Sequence, residues 1–196
     1  MPEVMISRYN NQNVDWVGSV APTMVLYDRS DDPIPGANVV ANIGTDIFDK
    51  FSFIIERYDN LPPVMLLSKA NLFKYITPEE FELVKNNSFF TPLLTMYHET
   101  KEDVSYYENG IYWEANTKWY LGAHPCKYDP DMLMRELGID KLKYIPFAPG
   151  SNYIVTRQNV MKRPKEWYMR MRDYLGWAVY PGEAQILERG LYSIWK

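Results

Sequence analysis

The sequence predicts an α/β domain with a mixed, mostly parallel central sheet flanked by helices. Three observations predict it. The 196 residues are 46% hydrophobic and 15% aromatic, enough apolar surface for a core. Roughly the first 70 residues alternate short apolar runs with loops and amphipathic stretches, the pattern of strands joined by crossovers. The apolar runs end in polar loops, and in such sheets ligands bind beyond the carboxyl ends of the strands.

The elements follow in order. Val4-Met5-Ile6 reads as a buried strand running into a polar loop, Arg8 to Asn13. Val14 to Ser19 predicts a short helix, and Thr23 to Tyr27 a second strand that stops at the turn-forming Asp28 to Pro33. Ala37 to Ala41 is a short third strand, followed by the turn Asn42-Ile43-Gly44. Thr45 is the expected N-cap of a helix to about Tyr58, with Asp46 and Asp49 answering the helix dipole in the first turn. Ile47, Phe51, Ile54, Ile55 and Tyr58 share one face of that helix. Val64 to Leu67 is another buried strand, ending at Ser68-Lys69-Ala70-Asn71. The four polar strand ends, Arg8 to Asn13, Asp28 to Asp32, Asn42 to Gly44 and Ser68 to Asn71, should lie near one another.

Thr77-Pro78-Glu79-Glu80 carries a capping box with proline at the first helical position, so a helix runs to about Lys85. Pro92 to His98 suggests a strand, and Ser105 to Leu121 a hairpin turning at Asn109-Gly110. Asp129-Pro130-Asp131 begins a helix that ends at Gly138. Ser151 to Thr156 reads as a strand after the Pro149-Gly150 bend. Pro164 to Leu175 and Gly182 to Trp195 are the last helices. The reading is one domain over 1–196.

Composition narrows the function. Lys plus Arg total 21 against 25 Asp plus Glu, a net charge of −4, which disfavours nucleic acid as a partner. Cys126 is the single cysteine, so no internal disulfide forms and a reducing, cytoplasmic setting is expected. Met1 to Ile6 is too short for a signal peptide, and no apolar run is long enough for a membrane span. No G-x-G-x-x-G follows the first strand, which counts against a Rossmann oxidoreductase. The crowded rings of Tyr106, Tyr107, Tyr112, Trp113, Trp119 and Tyr120 suit either sugar stacking or a half-wet core.

Five stretches carry a resemblance. They are Val4 to Asn10 with Val14-Asp15-Trp16; Asn42-Ile43-Gly44; Arg57 to Pro62 with Val64 to Leu67; Pro149 to Val155 with Arg163-Pro164; and Glu183 to Arg189. In this order they resemble GT-A-type nucleotide-sugar glycosyltransferases, most closely a group found in fungi and in large DNA viruses of algae. The resemblance implies a GT-A-like, Rossmann-like fold, with a nucleotide-binding half to about residue 75 and an acceptor and catalytic half after it, and a UDP-sugar as the favoured donor. It implies an oligosaccharide or glycoprotein acceptor, narrowed to viral capsid glycans and the host cytoplasm if the chain is viral. It also implies a Mn²⁺ or Mg²⁺ held by a D-x-D pair at the end of the fourth strand.

Site residues follow from both readings. Ser7, Arg8, Tyr9, Asp28, Asn42, Gly44 and Lys69 are the nucleotide-binding candidates. Arg8 either stacks on the base and touches phosphate or forms a surface ion pair; Asp28 either accepts from a ribose hydroxyl or caps its turn. Where the resemblance implies carboxylates, this chain has Ser68-Lys69-Ala70-Asn71. Either Lys69 replaces the metal's charge, with Ser68 and Asn71 donating hydrogen bonds, or ligands come from elsewhere. The weak metal candidates are His98, beside Glu99, and the pair Asp129 and Asp131, where Asp129 is also a natural N-cap. Asn152 and Trp113 are further donor or acceptor contacts. Glu183, at a helix start behind Tyr180-Pro181-Gly182, is the candidate catalytic base, or else a dipole-compensating glutamate. Glu188 is expected to pair with Arg189 or Arg157. The run Lys162, Arg163, Lys165, Arg170 and Arg172 reads as a solvated helix face. The competing function is a non-catalytic carbohydrate-binding module on a degenerate transferase fold.

Overall fold

The computed structural model describes residues 2–95, 105–115 and 124–196. The first part holds β1 (Glu3–Arg8), a 3-10 turn (Asp15–Ser19), β2 (Met24–Asp28), β3 (Asn38–Val39), α1 (Thr45–Arg57) and β4 (Val64–Lys69). A 3-10 turn (Leu72–Lys74), α2 (Pro78–Val84), β5 (Thr91–Pro92), β6 (Ser105–Glu108) and β7 (Ile111–Ala115) follow. The chain then forms α3 (Pro130–Leu137), β8 (Tyr144–Phe147), β9 (Tyr153–Thr156), α4 (Arg157–Val160), α5 (Lys165–Asp173) and α6 (Gly182–Trp195).

Six strands make the main sheet in the order β3-β2-β1-β4-β9-β5, and β6-β7-β8 make a second, antiparallel one. β3, β2, β1 and β4 run parallel, and β9 is antiparallel to both β4 and β5. The register sets Arg8 beside Asp28 and Ser7 beside Lys69. The chain winds outward from β1 to β3, then returns to place β4 on the other side of β1. That reversal opens a crevice above the carboxyl ends of β1 and β4.

Alternation along the strands divides the core. Met5, Met65 and Leu67 join Phe51, Ile54, Trp167 and Ile186 on one face. Val4, Ile6 and Leu66 join Val17, Leu72 and Phe81 on the other. Both faces are covered, which is why β1 and β4 read as continuous apolar runs. Phe51 meets Trp167 and Tyr168 edge-on, at 6.2 and 5.6 Å between centroids, and so seats α1 on α5.

Several expected local devices are present. Thr77 Oγ1 accepts from the Glu80 amide and Glu80 Oε2 from the Thr77 amide, both at 3.2 Å, closing the capping box of α2. The β6–β7 hairpin turns at Asn109 and Gly110, whose φ angles are 52° and 77°, the left-handed pair of a type I′ turn. Asp129 caps α3, accepting from the Asp131 amide, and α3 ends at Gly138.

Other expectations need correction. β3 spans Asn38–Val39 rather than Ala37 to Ala41. Of the expected strand Pro92 to His98, Pro92 lies in β5, and positions beyond 95 lie outside the described residues, as do 116–121 of the expected hairpin. β9 starts at Tyr153 because Ser151 has a φ of 58°. β8 and α4 were not expected; Pro146 inside β8 hides that strand in the sequence. The N-cap of α1 is Gly44, not Thr45.

Gly44 has φ 66°, and a Cβ there would lie 2.8 Å from Phe48 Cβ and 2.9 Å from Leu175 Cβ. Both the backbone conformation and the contact with α5's end exclude a side chain. Gly44→Ala is therefore expected to lower unfolding free energy by about 2 kcal/mol or more in urea titrations, with an unchanged denaturant slope.

Candidate functional site

The four polar strand ends do converge. A cleft of about 240 Å³ lies above β1 and β4, and each of the four ends contributes to its wall. Ser7, Tyr9 and Gln12 come from the end of β1 and its loop; Arg29 follows β2. Asn42 and Thr45 precede and open α1, and Lys69 and Asn71 end β4. Asp46 of α1, with Tyr180 and Gln185 at the start of α6, completes it. Thr45 has a φ of 59°, a costly conformation for a β-branched residue and one that collects at sites where the surroundings impose it.

Three buried polar clusters form the floor. In the first, Arg8 donates to Asp28 Oδ2 at 2.6 Å, to Ser30 Oγ at 2.7 Å and to the Gln12 carbonyl at 2.9 Å. In the second, Arg29 makes a two-pronged bond to Asp49, at 2.9 and 2.6 Å, and Ser7 Oγ donates to the same carboxylate. In the third, the Asp46 carboxylate takes Lys50 Nζ and Ser151 Oγ on one oxygen and Lys69 Nζ, at 3.2 Å, on the other.

In the third cluster all three charged groups are shifted from their ordinary values. Burial would raise the Asp46 carboxyl, but the Lys50 and Lys69 ammonium groups and the bonds from Lys50 and Ser151 outweigh it and hold it well below the usual carboxylate range. Burial would lower Lys69, yet Asp46, Glu188 and Tyr75 together carry it above its ordinary value. Lys50 has no exposed side-chain surface, and burial pulls its ammonium below the ordinary value against the attraction of Asp46. Lys69 keeps about a quarter of its side chain exposed. Asp46 and the Tyr75 hydroxyl engage two of the ammonium's three N–H bonds, and the third remains for a ligand.

The predicted site residues divide accordingly. Ser7, Tyr9, Asn42, Lys69 and Asn71 line the cleft. Arg8 and Asp28 are spent on each other beneath it, the ion-pair and turn alternatives of the sequence. Gly44 donates its N–H to the Ala178 carbonyl at 2.8 Å and does not line the cleft. Ser68 and Asn152 are buried behind β4, where Asn152 Oδ1 accepts from Ser68 Oγ and the Lys69 amide. Trp113 lies on β7, stacked on Tyr106, away from the cleft. Arg29, Asp46 and Tyr180 were missed. Arg29 carried a signal, since it follows β2 directly; Asp46 looked like ordinary dipole compensation.

Glu183 has a different job from the one its position suggested. It is fully buried and accepts from the Lys127 and Tyr128 amides at 2.7 and 2.8 Å and from Trp177 Nε1 at 3.3 Å. It anchors the chain ahead of α3 to the start of α6 and has no solvent-exposed surface. Glu188 pairs with neither Arg189 nor Arg157: it accepts from the Gly150 amide at 2.6 Å, while Arg189 bonds Glu114 at 2.9 Å. Asp129 and Asp131 sit at the exposed start of α3, and Asp129 faces Arg135 at 3.8 Å. His98 lies outside the described residues. Among the described residues no group of three or more His, Cys, Asp or Glu side chains is placed to hold a metal. At the cleft, the one lining carboxylate is already taken by two lysines, so the residues described there do not fit a bound divalent cation.

Asp46→Asn removes the anion from under two lysines, one of them fully buried, and is expected to cost about 3–5 kcal/mol at neutral pH. The native carboxyl is depressed, so its stabilisation is complete above the ordinary value of about 3.9 and is lost as pH falls through the folded value. Guanidinium titrations across pH should therefore show an acid-side loss in the native protein that is shallower in the variant.

A family model described as "Protein of unknown function (DUF3431)" matches residues 4–195. No curated protein and no solved structure matches the chain. Among the described residues no helix is long and apolar enough to cross a membrane. With the match running from the start of β1 to the end of α6, the chain belongs to the DUF3431 family.

Proposed function

We propose that this chain transfers a sugar from a nucleotide-sugar donor, a UDP-sugar by preference, to a hydroxyl of a glycan or protein-linked acceptor, on a GT-A-like fold. One observation carries the reading. The cleft lies at the reversal between β1 and β4, and Lys69 projects a cation into it from the end of β4. That is the place where a doubly wound sheet receives a phosphate-bearing ligand.

Lys69 supplies the positive charge that a leaving diphosphate requires. Its raised pKa keeps it protonated at neutral pH, and Asp46 holds it in place. Tyr9 and Tyr180 stand at the same cleft, their hydroxyls paired with each other, and offer ring faces to the nucleobase. The acceptor hydroxyl must lose a proton as its oxygen bonds to the anomeric carbon and the sugar–phosphate bond breaks. Glu188 takes that proton in this reading. It lies one turn beyond Gln185 on the face of α6 that meets the cleft, and its charge is felt by both Lys69 and Tyr75. One oxygen is anchored by the Gly150 amide, and the other has no hydrogen bond to a described residue.

The second reading, a carbohydrate-binding module without turnover, draws support from the missing carboxylates at the end of β4 and from the sealing of Glu183. Calorimetry with UDP, GDP and CMP, followed by an assay of UDP release from UDP-sugars, separates the two. UDP should bind with chelator present, and Lys69→Met should weaken it roughly 10- to 100-fold, the loss of one charged hydrogen bond. Glu188→Gln should abolish UDP release while leaving UDP affinity unchanged. Binding without release from any UDP-sugar favours the module; no binding of any nucleotide rejects the donor site.

A further inference from the structure

A second cleft opens beside the first, between the loop after β1 and the 3-10 turn after β4. Its volume is about 560 Å³, within the range of small-ligand pockets. Trp16 and Phe73 make an aromatic wall, 5.6 Å apart and tilted by 68°. The indole N–H of Trp16 donates to the Ala70 carbonyl at 3.0 Å, which fixes the ring. Phe73 is 39% exposed. Asn13 and Asp15, bonded to each other at 3.0 Å, stand at the rim.

Asn71 connects the two clefts, lining both. Its side-chain amide has no hydrogen bond to a described residue, and its Oδ1 is buried without a partner. An unsatisfied buried carbonyl is costly, and a small turn of the amide would bring it to a ligand. A hydroxyl both donates and accepts, so it satisfies either orientation of the amide.

We propose that this second cleft binds the pyranose ring of a saccharide, and that it is the acceptor subsite of the transferase. Only the role as acceptor subsite rests on the transferase reading; the saccharide binding does not. A pyranose has an apolar C–H face and a polar hydroxyl edge. The aromatic wall receives the face, and the amides of Asn13 and Asn71 with the Asp15 carboxylate receive the edge. The rings of Trp16 and Phe73 meet at 68°, and both rest edge-on against Phe81, buried behind them. Such a wall presents single faces and edges, not the parallel faces that would sandwich a nucleobase. Through Asn71, a sugar seated there lies next to the cleft that holds Lys69.

The test uses the full chain labelled with 5-fluorotryptophan, with the Trp16 resonance assigned by Trp16→Phe. The probes are the methyl glycosides of glucose, galactose, mannose, xylose and rhamnose at millimolar concentration, with uridine as the nucleobase control. At least one glycoside should shift the Trp16 resonance, and Phe73→Ala and Asn71→Ala, both in a folded chain, should each weaken it about tenfold or more. No shift with any glycoside, a shift indifferent to both variants, or a response to uridine alone overturns the proposal. A glycoside shift in a protein that binds no UDP keeps the saccharide site and removes its role as an acceptor subsite.

Discussion

The contact on which the site depends is the one between Asp46 and its two lysines. Asp46 stands in the first turn of α1, Lys50 one turn on, Lys69 at the end of β4 and Ser151 in the bend before β9. One carboxylate thus ties a helix, a central strand and a distant loop. Taking three charges out of water is expensive, and such clusters persist only where the geometry and the hydrogen bonds are complete. Here the surplus is useful. Lys50 is sealed, so of the two lysines Lys69 is the one left within reach of the cleft.

The clusters on either side explain which polar groups stay free. Arg8 with Asp28 and Arg29 with Asp49 are buried guanidinium–carboxylate pairs; the first ties the loop after β1 to the loop after β2, and the second holds the β2 loop against α1. Two left-handed asparagines, Asn10 and Asn11, turn the β1 loop back over the sheet. With those charges matched internally, Tyr9, Asn71, Lys69 and Tyr180 are left to face outward. In the proposed function the same division separates a rigid phosphate floor from rings and amides that choose the ligand.

Much of the fold was legible because its signals are local. The capping box at Thr77, the Asn109-Gly110 turn and the uninterrupted apolar runs of β1 and β4 lie within a few residues, and each formed as expected. Convergence of the four strand ends was also legible, since it follows from parallel topology. What escaped depends on partners far apart in the chain. Asp46 meets Ser151 across 105 positions, and Glu183 meets Lys127 and Tyr128 across 56 and 55. No spacing rule separates an acidic residue that answers a helix dipole from one that anchors a buried network. Arg8 and Asp28 were placed at the right strand ends, but whether they face a ligand or each other is decided by register, which only the assembled sheet displays.

In the proposed function the crevice above β1 and β4 is a diphosphate site organised by Lys69. A crystal structure of the chain with UDP tests it most directly. The β-phosphate should lie within hydrogen-bond distance of Lys69 Nζ, with the uracil between the β1 loop and Tyr180. UDP bound elsewhere, or in this crevice with its phosphates turned away from Lys69, would contradict it.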